Sequence, residues 1–236
     1  LVERILSENL PRWTLRERIG EGGFGVVFRV TDGDQEAALK VFRLTAERGV
    51  EGSRVSGAAE RLSRDWKRVS ENYNRLQSTA LVGLRGHFRY DLEVDERRAR
   101  ALGVVLMGLF PTNLHDWVMD HFPLEGSEVR RLFAGVARLL GRLLEDTNFH
   151  YEDLKPGNVL LDADGSRMVL GDYGGLRSHG SSSGAGDHTL GYAPPERVLR
   201  GQSAGVPSVV YSLGILGFWI GCGRIPYGRE LPEAQL

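Results

Sequence analysis

The chain has 236 residues, a formal net charge of -1 and a single cysteine. Its length suits one large domain or two small lobes with ample core, and its balanced charge argues against a general nucleic-acid or membrane-surface binder. Cys222 alone excludes an intrachain disulfide, which fits a reducing compartment or a secreted protein that needs none.

Taken in order, the first third reads as short strands. Alternating or β-branched runs fall at Trp13–Ile19, Val26–Val30 and Ala37–Phe42, split by a glycine cluster and the turn "TDGDQ". They predict an antiparallel meander. A helix follows over about Ala58–Gln77, where Leu62, Trp66, Val69, Tyr73 and Leu76 recur at helical spacing. Two more strands lie near His87–Val94 and Ala101–Met107. From Ser127, a candidate N-cap with Glu128 in the first turn, the apolar stripe Val129, Leu132, Phe133, Val136, Leu139, Leu140, Leu143, Leu144 predicts a long helix. Phe149–Ala193 is loop-rich, and "SHGSSSGAGDHT" at 178–189 reads as mobile. Val209–Ile220 is too short for a membrane span and reads as a buried core helix. A β-rich lobe with one helix thus precedes an α-rich lobe, and a cleft between lobes is the natural ligand site. No signal peptide is legible; the chain starts at Leu1 rather than Met, so a leader is not excluded.

Lysine occurs only at 40, 67 and 155 in a chain otherwise rich in arginine. Two of the three fall inside motifs. In "GEGGFG", Gly20, Gly22 and Gly25 let a backbone turn lie close over phosphates with N–H groups free to donate. A dinucleotide fingerprint requires a helix next, whereas "VVFRV" reads as a strand. "AALK" places Lys40 in an apolar strand, where a half-buried ammonium needs anionic partners, and a hairpin would bring it beneath the glycine loop. "DLKPGN" is more specific. Asp153 can take a proton from an attacking hydroxyl, Lys155 can neutralise a transferring phosphoryl group, and Asn158 offers a carbonyl oxygen to Mg²⁺. "GDYGG" adds Asp172 as a second oxygen ligand.

The series glycine loop, strand lysine, Asp-x-Lys-x-x-Asn, Asp-aromatic-Gly and "GYAPPE" resembles the eukaryotic-type serine/threonine protein kinase family over about residues 12–228. The resemblance implies an α+β, two-lobed protein-kinase-like fold in one kinase domain over residues 1–236. Its N-lobe, about 12–107, would be an antiparallel sheet with one helix. Its C-lobe, 108–236, would be mainly α and partial, because the family carries further helices beyond "RIPYG". The cofactors implied are ATP and Mg²⁺, and the partner is a protein substrate, with no nucleic acid and no membrane span. Residue by residue, Ile19, Gly20, Glu21, Gly22, Gly23, Phe24, Gly25, Val26 and Val27 form the phosphate-covering loop. Val27 and Ala38 line the adenine pocket, and Lys40 holds the α- and β-phosphates. "VVLMGL" at 104–109 resembles the hinge, with Leu106 as gatekeeper and Met107 and Leu109 beside the nucleotide; Leu160 is the pocket floor. Asp153 is the catalytic base, Lys155 the γ-phosphate contact, and Asn158 and Asp172 the metal ligands. "DLKPGN" with Thr189 looks like a Ser/Thr rather than a tyrosine kinase. The acid that pairs with Lys40 is Glu71 by spacing to the next strand and Asp65 by the apolar face.

The chain also departs from the family. Tyr151-Glu152-Asp153 stands where His-Arg-Asp is usual. The Arg normally clamps a phosphorylated activation loop, and Glu152 inverts its charge. A phosphate on Ser178, Ser181–Ser183 or Thr189 is therefore expected not to be clamped, and Glu152 is expected to pair with a basic group such as Arg177. The buried-helix Asp that braces the catalytic loop is Val209 here. Tyr173 replaces the usual Phe, and the family's partner for Glu196 lies in helices beyond this chain. "LMGLFPTNLHDW", "PPE" and "FWIGC" are similar to secreted rhoptry-type kinases of apicomplexan parasites. Cytoplasmic localisation is the default expectation, and secretion into a host cell follows if that narrower likeness holds. Two rival readings are a pseudokinase, in which the fold serves as an ATP-binding or scaffold module, and a small-molecule kinase of related fold.

Overall fold

A computed structural model of the chain describes residues 1–22, 25–44, 66–67, 70–71, 73–74, 76–94, 99–178, 189, 191–200 and 205–226. The chain forms two compact units, residues 1–75 with 83–109 and residues 76–82 with 110–236.

The first unit is built on five antiparallel strands: β1 (Thr14–Gly22), β2 (Gly25–Asp32), β3 (Gln35–Leu44), β4 (Leu84–Val94) and β5 (Ala99–Met107), in the order β1-β2-β3-β5-β4. Strands β2 to β5 overrun their sequence predictions by up to three residues at an end, and β1 starts one residue late but runs on to Gly22, because ladder bonds continue past the residues that alternation marks. Helix α1 (Val2–Asn9) was not anticipated: with only Ile5 and Leu6 fully buried, its apolar stripe is too narrow to read. Those two side chains pack on Val30, Leu39, Val104 and Leu106, and Tyr90 Oη donates to Glu8 Oε2 at 2.8 Å. Of the helix expected over about Ala58–Gln77, residues 58–65 lie outside the described residues; Trp66, Lys67, Ser70, Glu71, Tyr73 and Asn74 are helical, and the chain has left the helix by Leu76. The rings of Trp66 and Tyr73 lie 5.9 and 5.1 Å from His87, so this face meets the sheet.

The second unit holds α2 (Leu114–His121), α3 (Gly126–Thr147), α4 (Pro195–Arg200) and α5 (Val206–Cys222). Between α3 and α4 run short strands: β7 (Phe149–Tyr151), β8 (Val159–Leu161), β9 (Met168–Leu170) and β10 (Leu176–Ser178); β6 (Thr112–Asn113) pairs with β8. The long helix starts one residue before the expected cap. Val129 N–H bonds Glu125 O at 3.0 Å, which makes Glu125 the N-cap and puts Ser127 inside the first turn. Leu132, Val136 and Leu143 are its buried face, while Phe133 stays 37% exposed. Helix α5 is apolar nearly all round but is not the fully buried helix expected: one face is buried, Ser208 and Ser212 included, while Val210 and Phe218 on the other stay 61% and 41% exposed. No described helix is long and apolar enough to cross a membrane. The expected division into a β-rich and an α-rich part therefore holds. Residues 179–188 of the segment expected to be mobile lie outside the described residues.

Candidate active site

In the first unit, the glycine loop is the tip of the β1–β2 hairpin. Gly20 opposes Val27, Glu21 opposes Val26, and Gly22 opposes Gly25; the register shifts between Arg18 and Gly20, leaving Ile19 as the extra, 45% exposed residue. Gly25 has φ +120°, and an added Cβ would lie 2.8 Å from Phe42 Cβ, so only glycine fits. Exposed Glu21 pairs with Arg18. Gly23 and Phe24 lie outside the described residues. On β3, Lys40 faces Val27 on one side and Val105 on the other, with its Nζ 5.9 Å over the Phe42 ring. The hairpin thus brings Lys40 into register with the glycine-bearing strand, as its spacing implied. Buried Ala38 opposes Met107, and buried Leu106 opposes Leu39. Strand β5 ends at Met107; Gly108 N–H then bonds Gly83 O at 2.9 Å, and Leu109 is the last residue of the first unit. Glu71 lies exposed on the helical stretch whose Trp66 and Tyr73 rings meet the sheet. The alternative acid, Asp65, lies outside the described residues.

In the second unit, the catalytic loop runs from β7 to β8. Pro156 forces Lys155 into extended backbone (φ -151°, ψ 161°) and opens a 3-10 turn, Pro156–Asn158. That turn folds Asn158 back: its Nδ2 donates to Asp153 O at 2.8 Å and Asp153 Oδ2 at 2.9 Å. Both partners are acceptors, so the amide nitrogen must face them, and the oxygen is left as the atom Asn158 can present to a cation. Lys155 Nζ lies 3.1 Å from Asp153 Oδ2. Thr189 Oγ1 donates to Asp153 Oδ1 at 2.8 Å and accepts from Lys155 Nζ at 2.9 Å. Asp153 is only 5% exposed, and its carboxylate is held from both oxygens.

Asp172 reaches this loop through strand pairing. Gly171 N–H bonds Asn158 O at 2.8 Å, and β10 pairs with β7, Leu176 opposite Tyr151. Asp172 Oδ1 accepts Gly174 N–H at 3.0 Å and so caps the turn Tyr173–Gly175. The close approach needs Gly175, whose added Cβ would sit 3.1 Å from Asp153 Cβ. Half-buried Leu160 packs beside Gly171. Tyr173 is buried, and its hydroxyl donates to Val82 O at 2.9 Å; burial pushes its phenol up to about 12. Tyr151 is fully enclosed. Burial, then the charges of Asp172 and Asp153, push its phenol well above the usual value. Asp153, Lys155, Asn158 and Asp172 are thus assembled by one strand–turn–hairpin unit.

Glu152 points the other way, into the core. Its Oε1 lies 2.9 Å from His150 Nε2, its Oε2 3.1 Å from Arg197 Nη2 and 3.7 Å from Arg177 Nε. The anticipated Arg177 contact is present, and the closer guanidinium, Arg197, was missed. The available signal was physical: an acid in a buried loop demands a buried cation, and Arg197 directly follows "APPE". Val209 is 7% exposed and offers no acceptor. Glu196 receives Ser208 Oγ at 3.3 Å.

This chain matches the family model for the protein kinase domain over residues 13–235. It is 29% identical to cysteine-rich receptor-like protein kinase 26 of Arabidopsis thaliana, over 93% of this chain and 31% of that protein. It is 30% identical to cysteine-rich receptor-like protein kinase 14 of the same plant, over 87% of this chain and 29% of that protein. Serine/threonine-protein kinase PCRK1, also from Arabidopsis thaliana, is 29% identical over 92% of this chain and 51% of its own length. The chain therefore belongs to the protein kinase family and is a protein kinase domain; it spans less than a third of the first two relatives. These relatives support the broad resemblance, and the narrower rhoptry-type likeness finds no support among them.

Proposed function

We propose that this domain transfers the γ-phosphoryl group of ATP to serine or threonine hydroxyls of protein substrates. The observation that carries the reading is the Asp153 carboxylate, fixed by Thr189, Asn158 and Lys155. The substrate hydroxyl gives its proton to Asp153 as its oxygen bonds to the γ-phosphorus. The bond from that phosphorus to the β–γ bridging oxygen breaks, and ADP leaves with the electron pair. Lys155 Nζ neutralises charge on the transferring group. Mg²⁺, when bound, offsets phosphate charge, and the Asn158 oxygen with the Asp172 carboxylate would hold it. In the first unit, residues 19–27 would cover the phosphates, Lys40 would bind them, and Val27, Ala38, Leu106, Met107 and Leu109 would contact the base. Thr189, donating to the base and accepting from Lys155, supports the Ser/Thr assignment. Glu152 holds the place of the phosphate-clamping arginine, so transfer would not be switched by activation-loop phosphorylation.

The pseudokinase reading is favoured by Glu152 and Val209 at two positions where the family uses Arg and Asp. Incubation with radiolabelled ATP, Mg²⁺ and a generic protein substrate separates the two. Label on serine and threonine, lowered at least about a hundredfold by Asp153→Ala, is expected. Equal labelling by both proteins overturns the mechanism, and Mg²⁺-dependent ATP binding without transfer establishes the pseudokinase.

A further inference from the structure

Catalysis as described uses neither Glu152 nor Arg197, yet both are buried, at 4% exposure each. Arg197 Nη1 donates to Glu152 O at 2.7 Å, while Nη2 lies 3.1 Å from the same residue's Oε2. Glu152 N–H in turn donates to Gly175 O at 2.8 Å. Every polar group of Glu152 is therefore held, and the carbonyl gripped by Arg197 belongs to the peptide that leads into Asp153. The orientation of that peptide plane sets the direction of the Asp153 side chain.

We propose that Arg197 is the positioning residue for Asp153, replacing the acidic brace that Val209 cannot supply; the proposal rests on the kinase reading above. The brace runs indirectly. Helix α5 holds both Tyr192 and the first turn of α4, because Ser212 Oγ donates to Tyr192 O at 2.8 Å and Ser208 Oγ to Glu196 at 3.3 Å. The loop is then gripped twice, by Thr189 ahead of Tyr192 on Asp153 Oδ1 and by Arg197 of α4 on Glu152. Only a guanidinium can bond a carbonyl and a carboxylate at once with fixed donors, so lysine is a poor substitute. Glu152, with His150 and Arg177 beside it, keeps the buried guanidinium neutralised. The inverted charge at 152 and the buried arginine at 197 are two halves of one device.

A bare counter-ion role is the competing explanation, and the Glu152→Leu/Arg197→Met double variant tests it. Removing both charges from a buried pair is commonly tolerated, so thermal unfolding should stay near wild type. The brace predicts a kcat about tenfold or more below wild type, KM for ATP within about twofold, and faster hydrogen exchange at the Asp153 and Leu154 amides. Arg197→Lys, which keeps the charge, should fall between the two. A double variant with wild-type kcat and exchange overturns the proposal, as does an Arg197→Lys variant indistinguishable from wild type should the double variant fail to fold. If the wild type transfers no phosphate, the kinase reading has failed, and the exchange comparison alone decides the brace.

Discussion

On one side of the catalytic loop, the Asp153 carboxylate receives a threonine hydroxyl, an asparagine amide and one lysine. On the other, the Glu152 carboxylate is enclosed by a histidine and two arginines. The two acids are neighbours in the chain, but Glu152 stands at a bend just past the end of β7, and the two side chains take wholly separate partners. The same functional group then takes its role from its donors. Around Asp153 sit neutral donors and one compact cation, suited to an acceptor that must exchange a proton. Around Glu152 sit guanidiniums with fixed geometry, suited to holding backbone in place. Adjacent carboxylates are therefore not a catalytic pair here, and the inverted charge is a substitution inside the core.

The harshest way to break this contrast is Glu152→Arg, which restores the family's usual residue. It would press a third guanidinium against Arg177 and Arg197. A loss of at least about 3–5 kcal/mol in urea unfolding, or failure to fold, is expected; a stable, active variant would refute the enclosed-acid description. Thr189→Ala probes the other side. It removes hydrogen bonds to the Asp153 carboxylate and the Lys155 ammonium, worth about 1.5–3 kcal/mol, so kcat should fall about ten- to a hundredfold and unfolding free energy by no more than that amount, and Thr189→Ser should retain most of both. Gly25→Ala is a control outside the loop. Its φ of +120° and the contact with Phe42 predict destabilisation beyond about 1 kcal/mol, read from the denaturant midpoint.

The smallest effect concerns Tyr173. Its folded-state phenol is raised from 10.0 to about 12 by burial. The folded chain thus keeps a proton that the unfolded chain releases near pH 10. This contribution is whole below that pH and is lost as pH rises through about 12. Tyr173→Phe should cost about 1 kcal/mol at neutral pH, through the lost bond to Val82, and should flatten the alkaline decline in urea midpoint. An unchanged alkaline slope would show that this phenol is not the group that titrates.

How legible this was in the sequence depended on length and on partners. Strands β1 to β5 and helix α3 repeat a period often enough to be read, and "DLKPGN" and "GDYGG" place four side chains within short chain distances. Strands β6 to β10 have two or three residues each, too few for any period, and they exist only because β8 pairs with β9 and β10 with β7. Helix α1 shows only two buried residues. Linear spacing favours Glu71 and the apolar face favours Asp65 as the partner of Lys40, because spacing and facing are separate signals that need not agree. Arg197 lies 45 residues from Glu152, so no local pattern announced it; only the energetic demand of a buried acid pointed to a cation.

On the proposed mechanism, Asp153 keeps the chemistry while Glu152 replaces a phosphate-dependent switch with a permanent internal contact. The most direct test is the rate of phosphoryl transfer from ATP to a protein substrate before and after exhaustive phosphatase treatment of the enzyme. Nearly unchanged rates are expected, because no phosphate is needed to set the loop. A large drop on dephosphorylation, restored by rephosphorylation, would contradict it.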